Sequence, residues 1–257
     1  MRELLRGALD LLRGFRMWGT SPRLMLLGAV PAVIVGIVFV GLLVGLWLAL
    51  PGLVDWLTPF ADGWDPVWRE LVQAAVGLAV LLLAGVLLVL GFTAVTLTVG
   101  DPFYERISRR VEERLGDPPA ERDEPLLRGV LRALGDGVRL FLAGVLVALL
   151  CFAVGFVPIV GAVLAFVLGA VLGGRLLAVE LTGYAFDVRG RTLTERRRML
   201  AGRRMRTLGF GGATYLLFLV PFVAVVAMPA AVAGATMLSR ELLEPGTESA
   251  EQLHSPE

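Results

Sequence analysis

The chain has 257 residues, 56% of them hydrophobic, with a net charge of only +1 and a mean hydropathy of +0.77. These values exclude an ordinary soluble domain and give no global attraction to nucleic acid. With one cysteine (Cys151) and one histidine (His254), no internal disulfide, histidine metal site or serine triad is expected, and no cofactor or catalytic residue is proposed.

The apolar runs are long and lack strand-like alternation, so the expected class is an all-α integral membrane protein. All 24 basic residues are Arg. Coding bias accounts for that more simply than a special need for guanidinium chemistry. Four of them are spread through the first sixteen residues and interrupt any continuous apolar core, so no cleavable leader is expected there.

Residues 2–16 place Leu4, Leu5, Ala8, Leu11, Leu12 and Phe15 on one helical face and Arg2, Arg6, Asp10 and Arg13 on the rest. The pattern predicts a helix lying in the membrane interface with Trp18 at headgroup level, or one packed on the remainder of the protein. Gly19-Thr20-Ser21-Pro22 then breaks and restarts the chain. Ser21 can cap the next helix, and Pro22 fits its first position because no N–H is needed there.

Residues 24–50 are apolar and uncharged. At about 1.5 Å per residue they can cross a hydrocarbon core of roughly 30 Å, and Pro31 is expected to bend them. Residues 51–70 are expected to be a loop, acidic through Asp55, Asp62, Asp65 and Glu70, with Trp47, Trp56, Trp64 and Trp68 in or beside it as an interfacial belt. Residues 71–99 are the second long span.

Gly100-Asp101-Pro102-Phe103 is expected to stop the chain and restart it as an amphipathic helix bearing Phe103, Ile107, Val111 and Leu115 on one face. Gly116-Asp117-Pro118-Pro119 ends that helix, and Asp123 and Pro125 open another. Its apolar positions Leu126, Leu127, Val130, Leu131 and Leu134 lead into an apolar hairpin, with halves 140–156 and 162–179 turning at Val157-Pro158-Ile159-Val160-Gly161. Each half is about 25 Å long, the lower limit for spanning.

Thr192-Leu193-Thr194-Glu195 has capping-box spacing and starts a basic helix carrying Arg196, Arg197, Arg198, Arg203, Arg204 and Arg206. Those arginines are candidates for topology signalling and anionic-lipid contact, or for binding a transported anion. A second hairpin follows, with residues 208–220 at about 20 Å and residues 222–238 broken again at Met228-Pro229. It reads as re-entrant. Gly169, Gly173, Gly174, Gly209, Gly211 and Gly212 permit close helix contact, or reflect ordinary membrane-helix usage. Residues 1–240 are expected to form one helical membrane domain, and residues 241–257 an acidic, disordered cytoplasmic tail.

Residues 101–139 and 180–207 hold eight Arg each, and residues 51–70 hold one. The bias puts the N-terminus and both basic segments in the cytoplasm and the Trp-rich loop outside.

The chain resembles the CysZ-type sulfate transporter family, which includes the etoposide-induced protein homologues. The resemblance runs from about Leu9 to Arg240. It is densest at Asp101-Pro102-Phe103, at Val157 to Gly161, and from Phe210-Gly211 through Val220-Pro221 to the run from Met228 to Thr236. It implies two long transmembrane helices, two helical hairpins entering the membrane partway, a homo-oligomer in the cell inner membrane, and inward passage of sulfate. It also implies an anion site at the start of the first long helix, on Ser21, Pro22 and Arg23. There the family has Pro-Gly-hydrophobic-Arg-Arg, and this chain has Pro22-Arg23-Leu24-Met25-Leu26, so the paired arginines fall on Met25 and Leu26. Tyr104 stands where the family commonly has Asn. Pro158, Gly161, Pro221 and Pro229 are expected to shape the pathway.

Two other classes compete. A membrane scaffold binding anionic lipid or a protein partner needs no substrate. An intramembrane enzyme would have to use Arg175, Glu180, Asp187 and Tyr184, which interface anchoring explains more simply.

Overall fold

The computed structural model describes residues 1–116, 119 and 126–243, and every regular element among them is helical. The expected chain breaks at Asp117-Pro118 and at Asp123 and Pro125, the side chains of Leu126, Leu127 and Val130, and the tail from residue 244 onward lie outside the described residues.

Among the described residues, five helices are long and apolar enough to cross a membrane, namely Pro22–Leu57, Pro66–Leu115, Leu134–Gly155, Gly161–Val188 and Pro221–Leu243. The first two, α2 (Pro22–Leu57) and α3 (Pro66–Leu115), follow α1 (Arg2–Gly19). Both are longer than the sequence suggests. Helix α2 passes through Pro31 and Pro51, so the expected loop at 51–70 shrinks to residues 58–65 around a single 3-10 turn, Pro59–Ala61. Helix α3 passes through Pro102, so the expected stop at Gly100–Phe103 does not occur. A proline removes one backbone hydrogen bond from a ladder of fifty residues, and the turns on either side keep theirs. Helix α3 does end at Leu115, where Gly116 adopts a φ of 77°, the left-handed conformation that closes a helix and suits glycine.

The chain divides into two compact units. The smaller, residues 29–101, consists of the apolar arms of α2 and α3 and their connection. Within it Phe39 and Phe92 meet edge to face at 5.6 Å, and near the connection Gln73 donates to Asp55 and Arg69 pairs with Asp62. Trp47, Trp56, Trp64 and Trp68 are all exposed around that connection, as an interfacial belt requires.

The larger unit comprises residues 1–28 and 102–257. Here α4 (Leu126–Gly155) turns back into α5 (Gly161–Leu168), a π-helical turn (Gly169–Gly173) and α6 (Gly174–Leu181). The turn lies at residues 156–160, one residue earlier than the expected 157–161, with Ile159 at a φ of 69° and fully exposed. Gly161 follows where a Cβ would sit 2.6 Å from the Val154 carbonyl. Each arm of this hairpin belongs to a helical stretch long and apolar enough to cross, Leu134–Gly155 and Gly161–Val188, which extend the expected halves at 140–156 and 162–179. Helices α7 (Gly183–Val188) and α8 (Leu193–Gly202) then lead into α9 (Arg204–Phe218) and α10 (Pro221–Leu243). The capping box forms at α8: the Glu195 N–H donates to the Thr192 hydroxyl, and the Thr192 N–H donates to the Glu195 carboxylate. Those bonds, the backbone one first, hold the Glu195 carboxyl below its ordinary value. The cap is therefore complete at neutral pH, and the stabilisation from its carboxylate half is lost as the pH falls through that lowered value, while the Thr192 hydroxyl bond remains.

Helix α10 runs unbroken through Pro229, which corrects the expected second break. Pro229 is buried, and a Cβ on Gly28 would lie 2.5 Å from its ring. In α10, 72% of the most apolar window is buried, against 6% in α2 and none in α3. Helix α10 is therefore sheathed by protein, chiefly by α1 and α9.

Helix α1 packs on α9 and α10, the second of its two expected placements, and does so chiefly through small and polar positions. Leu5 and Leu12 face outward, while Gly7, Asp10, Leu11 and Gly14 are buried. Backbones touch where side chains are missing. A Cβ on Gly209 would fall 1.9 Å from the Leu4 carbonyl, and one on Gly14 would fall 2.1 Å from that of Ala230. Glycines 169, 173, 174 and 211 are packed in the same way, against Tyr215 or the facing backbone, whereas Gly212 has its nearest neighbour at 3.6 Å.

This contrast gives a prediction. Gly209→Ala is expected to destabilise the detergent-purified protein by about 1–3 kcal/mol or more, and Gly212→Ala to be neutral or slightly stabilising, read as midpoints of thermal unfolding. Equal midpoints for the two variants would contradict the close approach.

Candidate functional site

The start of α2, an expected anion site, lies in a cleft lined by charged side chains. Pro22 has no N–H, and the first helical N–H to bond within the ladder is that of Met25, to the Ser21 carbonyl. The N–H groups of Arg23 and Leu24 are left outside it, at the positive end of the helix dipole. Leu24 is buried, and its carbonyl accepts from the Trp18 indole N–H at 3.1 Å. Trp18 is thus tied to the helix start.

A cleft of about 460 Å³ opens here, lined by Ser21, Pro22, Arg23 and Leu24 from the start of α2 and by Arg110, Glu113 and Arg114 from the end of α3. Arg110 and Arg114 are one helical turn apart and share a face. The Arg114 guanidinium donates to the Ser21 hydroxyl, which in turn donates to the Met17 carbonyl at 2.8 Å. Ser21 therefore ties α3 to the start of α2, a role different from the cap that the sequence suggested. Three arginines and one glutamate give the lining a formal charge of +2. Arg110 and Arg114 were not singled out from the sequence. Their spacing, four apart on the polar side of the helix bearing Ile107 and Val111, was the available signal.

The other expected site residues lie elsewhere. Pro158 sits in the first hairpin turn, Gly161 opens α5, Pro221 opens α10 and Pro229 lies inside it. None of the four lines this cleft.

The six arginines of the basic segment divide. Arg196 is 2% exposed, donating to the Val179 carbonyl at 3.1 Å and to Asp187 at 3.4 Å. Arg206 is 6% exposed and grips Asp10 with two bonds, of 2.7 and 3.0 Å, and Glu241 at 2.6 Å. These two are taken up by the protein's own interior, which corrects their assignment to lipid or anion contact. Arg197, Arg198, Arg203 and Arg204 are exposed.

A second interior charge cluster braces the site from behind. Glu112, 3% exposed, receives both Arg189 amines at 2.7 and 2.9 Å and Arg240 at 3.4 Å. Arg240 also donates to the Gly116 carbonyl. The end of α3 is thereby fixed to α10 and to the residue after α7. Tyr104 is buried on the same stretch of α3, beside Ile107 and Ser108, and Ser108 bonds Thr236 of α10 at 2.9 Å. Asp187 is engaged by Arg196, and no group of three metal-ligating residues occurs among the described residues.

The family described as sulfate transporter CysZ/etoposide-induced protein 2.4 matches this chain over residues 10–229. A sulfate transporter CysZ of Pseudomonas aeruginosa is 34% identical over 176 residues, 67% of this chain and 71% of that protein. One of Pseudomonas fluorescens is 29% identical over 228 residues, 84% of this chain and 86% of that protein.

The bracing clusters are expected to be structural. Removing one member of a buried pair strands its partner's charge, at about 3–5 kcal/mol. Asp10→Ala should therefore unfold at a clearly lower temperature than Arg204→Ala, which removes an exposed charge. Unfolding midpoints of the two variants in detergent check this.

Proposed function

We propose that this chain, which belongs to the sulfate transporter CysZ/etoposide-induced protein 2.4 family, passes sulfate across a membrane and receives it at the cleft where α2 begins. The observation that carries the reading is the presence of Arg23, Arg110 and Arg114 in one cleft, with Arg114 bonded to Ser21. The paired arginines that the family pattern would put at Met25 and Leu26 are replaced by two from α3. A lining charge of +2 balances a dianion, and the free N–H groups of the first turn add donors that carry no net charge. Glu113 supports the same reading. A carboxylate in the lining weakens the hold on the anion, and a conducting site must release what it binds. No nucleotide-binding motif occurs in the sequence, so the driving force is an ion gradient or a partner. The scaffold alternative has no comparable support.

The inferred setting is the cell inner membrane, with the N-terminus, the α3 end and α8 in the cytoplasm and the Trp-bearing connection outside. Apolar side chains exposed along α2 and α3 face lipid or further copies of the chain in a homo-oligomer. The turns at Pro158–Gly161 and at Pro221 are inferred to shape the pathway. Helix α9, fifteen residues and roughly 22 Å long, is too short to span, which supports a re-entrant second hairpin.

Two experiments test these readings. Each charge-assisted contact contributes roughly 1.5–3 kcal/mol, about tenfold to a hundredfold in affinity. Arg23→Ala and Arg114→Ala should each weaken sulfate binding by that factor, with Arg23→Lys intermediate because it keeps charge and loses the planar fork. Arg109→Ala, outside the cleft, should bind as wild type does. Isothermal calorimetry on purified protein measures this, and binding indifferent to both Arg23→Ala and Arg114→Ala would remove the site. In a Cys151→Ala background, an impermeant thiol reagent on intact cells should label a cysteine at Asp62, but neither one at Arg198 nor one at Val220. Labelling at Val220 would mean that the second hairpin crosses.

A further inference from the structure

A groove of about 290 Å³ runs between the first hairpin and the basic helix, apart from the sulfate cleft. Helix α4 contributes Ala143, Leu146 and Val147, a stripe at helical spacing. The returning arm contributes Leu172, Leu176 and Val179, with Arg175 among them, and α8 contributes Arg197 and Leu200. Val179 and Leu200 belong to a buried apolar cluster and form a firm floor. Seven of the nine lining residues are apolar, and the other two are arginines.

Arg175 and Arg197 are both exposed, and neither has a hydrogen bond or ion pair among the described residues. The contrast with Arg196, one residue away, is informative. Arg196 turns inward to the Val179 carbonyl and fastens α8 to the hairpin, which sets Arg197 beside Arg175 at the groove. No carboxylate lines the groove to neutralise the two.

We infer that this groove is a specific site for one anionic phospholipid, its headgroup phosphate between Arg175 and Arg197 and an acyl chain along the leucine stripes of α4 and α6. A hydrated inorganic anion would gain from the two charges but lose against the apolar wall. A zwitterionic lipid would gain from the wall but bring its own cation to the arginines. Only an anionic amphiphile satisfies both parts. The site lies where α8 meets the hairpin, so an occupied groove also braces α8 against α4.

The test is a titration of delipidated, detergent-purified full chain with dioctanoyl-phosphatidylglycerol, dioctanoyl-phosphatidylcholine and sodium sulfate, read by native mass spectrometry. Phosphatidylglycerol should bind roughly tenfold or more tightly than phosphatidylcholine. Arg175→Gln/Arg197→Gln should abolish that preference, Arg175→Lys/Arg197→Lys should keep most of it, and Arg198→Ala should keep all of it. Leu146→Gln should weaken both lipids alike. Circular dichroism and the unfolding midpoint establish that each variant is folded, and the lysine variant separates loss of charge from loss of fold. An equal fall in Arg198→Ala would mean diffuse attraction to a basic surface and overturn the site. Full displacement of the lipid by millimolar sulfate would make it an inorganic-anion site and overturn the lipid assignment. Because Arg23 and Arg114 are untouched, loss of the lipid with sulfate affinity intact leaves the transport reading standing.

Discussion

The buried pair between Asp10 and Arg206 is the constraint on which the larger unit depends. It joins α1 to α9, residues far apart in the chain, through two bonds to one carboxylate, and Glu241 draws in α10. Arg13 adds a further contact to Asp10 at 3.1 Å. Taking an aspartate almost wholly out of water is costly, and the pair is tolerated because both carboxylate oxygens are satisfied by guanidinium donors. The pair can be this close only because the backbones are. Gly7 lies against the Arg206 carbonyl and Gly234 against the Asp10 carbonyl, and a side chain at either would force the helices apart. Charge and small residues thus fix one register for the three helices.

That register positions the candidate anion site. Once α1 is fixed on α10, Trp18 and Ser21 stand at the start of α2, and Pro229 packs on Gly28. The Glu112 cluster holds the end of α3 against α10. Arg110 and Arg114 then project from a braced element, not from a mobile loop. A site for a dianion benefits from such bracing, because cations left to move would follow solvent and discriminate less. The same arrangement puts two arginines of α3 in one cleft with Arg23 of α2.

The two units divide the apolar surface differently. In residues 29–101 most of the large apolar side chains are exposed, Val35 and Val54 being buried exceptions, and the arms meet at the Phe39–Phe92 contact, at the Gln73–Asp55 bond and at a few glycines. In the larger unit α10, the least apolar of the five candidate spans, is surrounded by protein. An apolar helix gains nothing from leaving lipid for a protein neighbour by hydrophobicity alone. Its burial therefore rests on close packing through Ala230, Ala231, Ala233, Gly234 and Ala235, the small-residue run that also carried much of the family resemblance.

The sequence by itself determined the helical membrane class, the first hairpin turn to within one residue, the capping box at Thr192, the helix end at Gly116 and the exposed tryptophan belt. Each follows from local chemistry: run length, proline and glycine geometry, or a side chain bonding within three residues. It also located Ser21, Pro22 and Arg23 at a helix start. It did not determine which prolines break helices, because Pro102 and Pro229 are tolerated or denied according to what surrounds the turn they interrupt. It did not separate Arg196 and Arg206 from their exposed neighbours either, nor Asp10 from the polar face of α1. Only the tertiary structure decided those, and it alone brought Arg110 and Arg114 to Arg23, because a charge is spent inside or left for a ligand according to which distant residue the packing sets beside it.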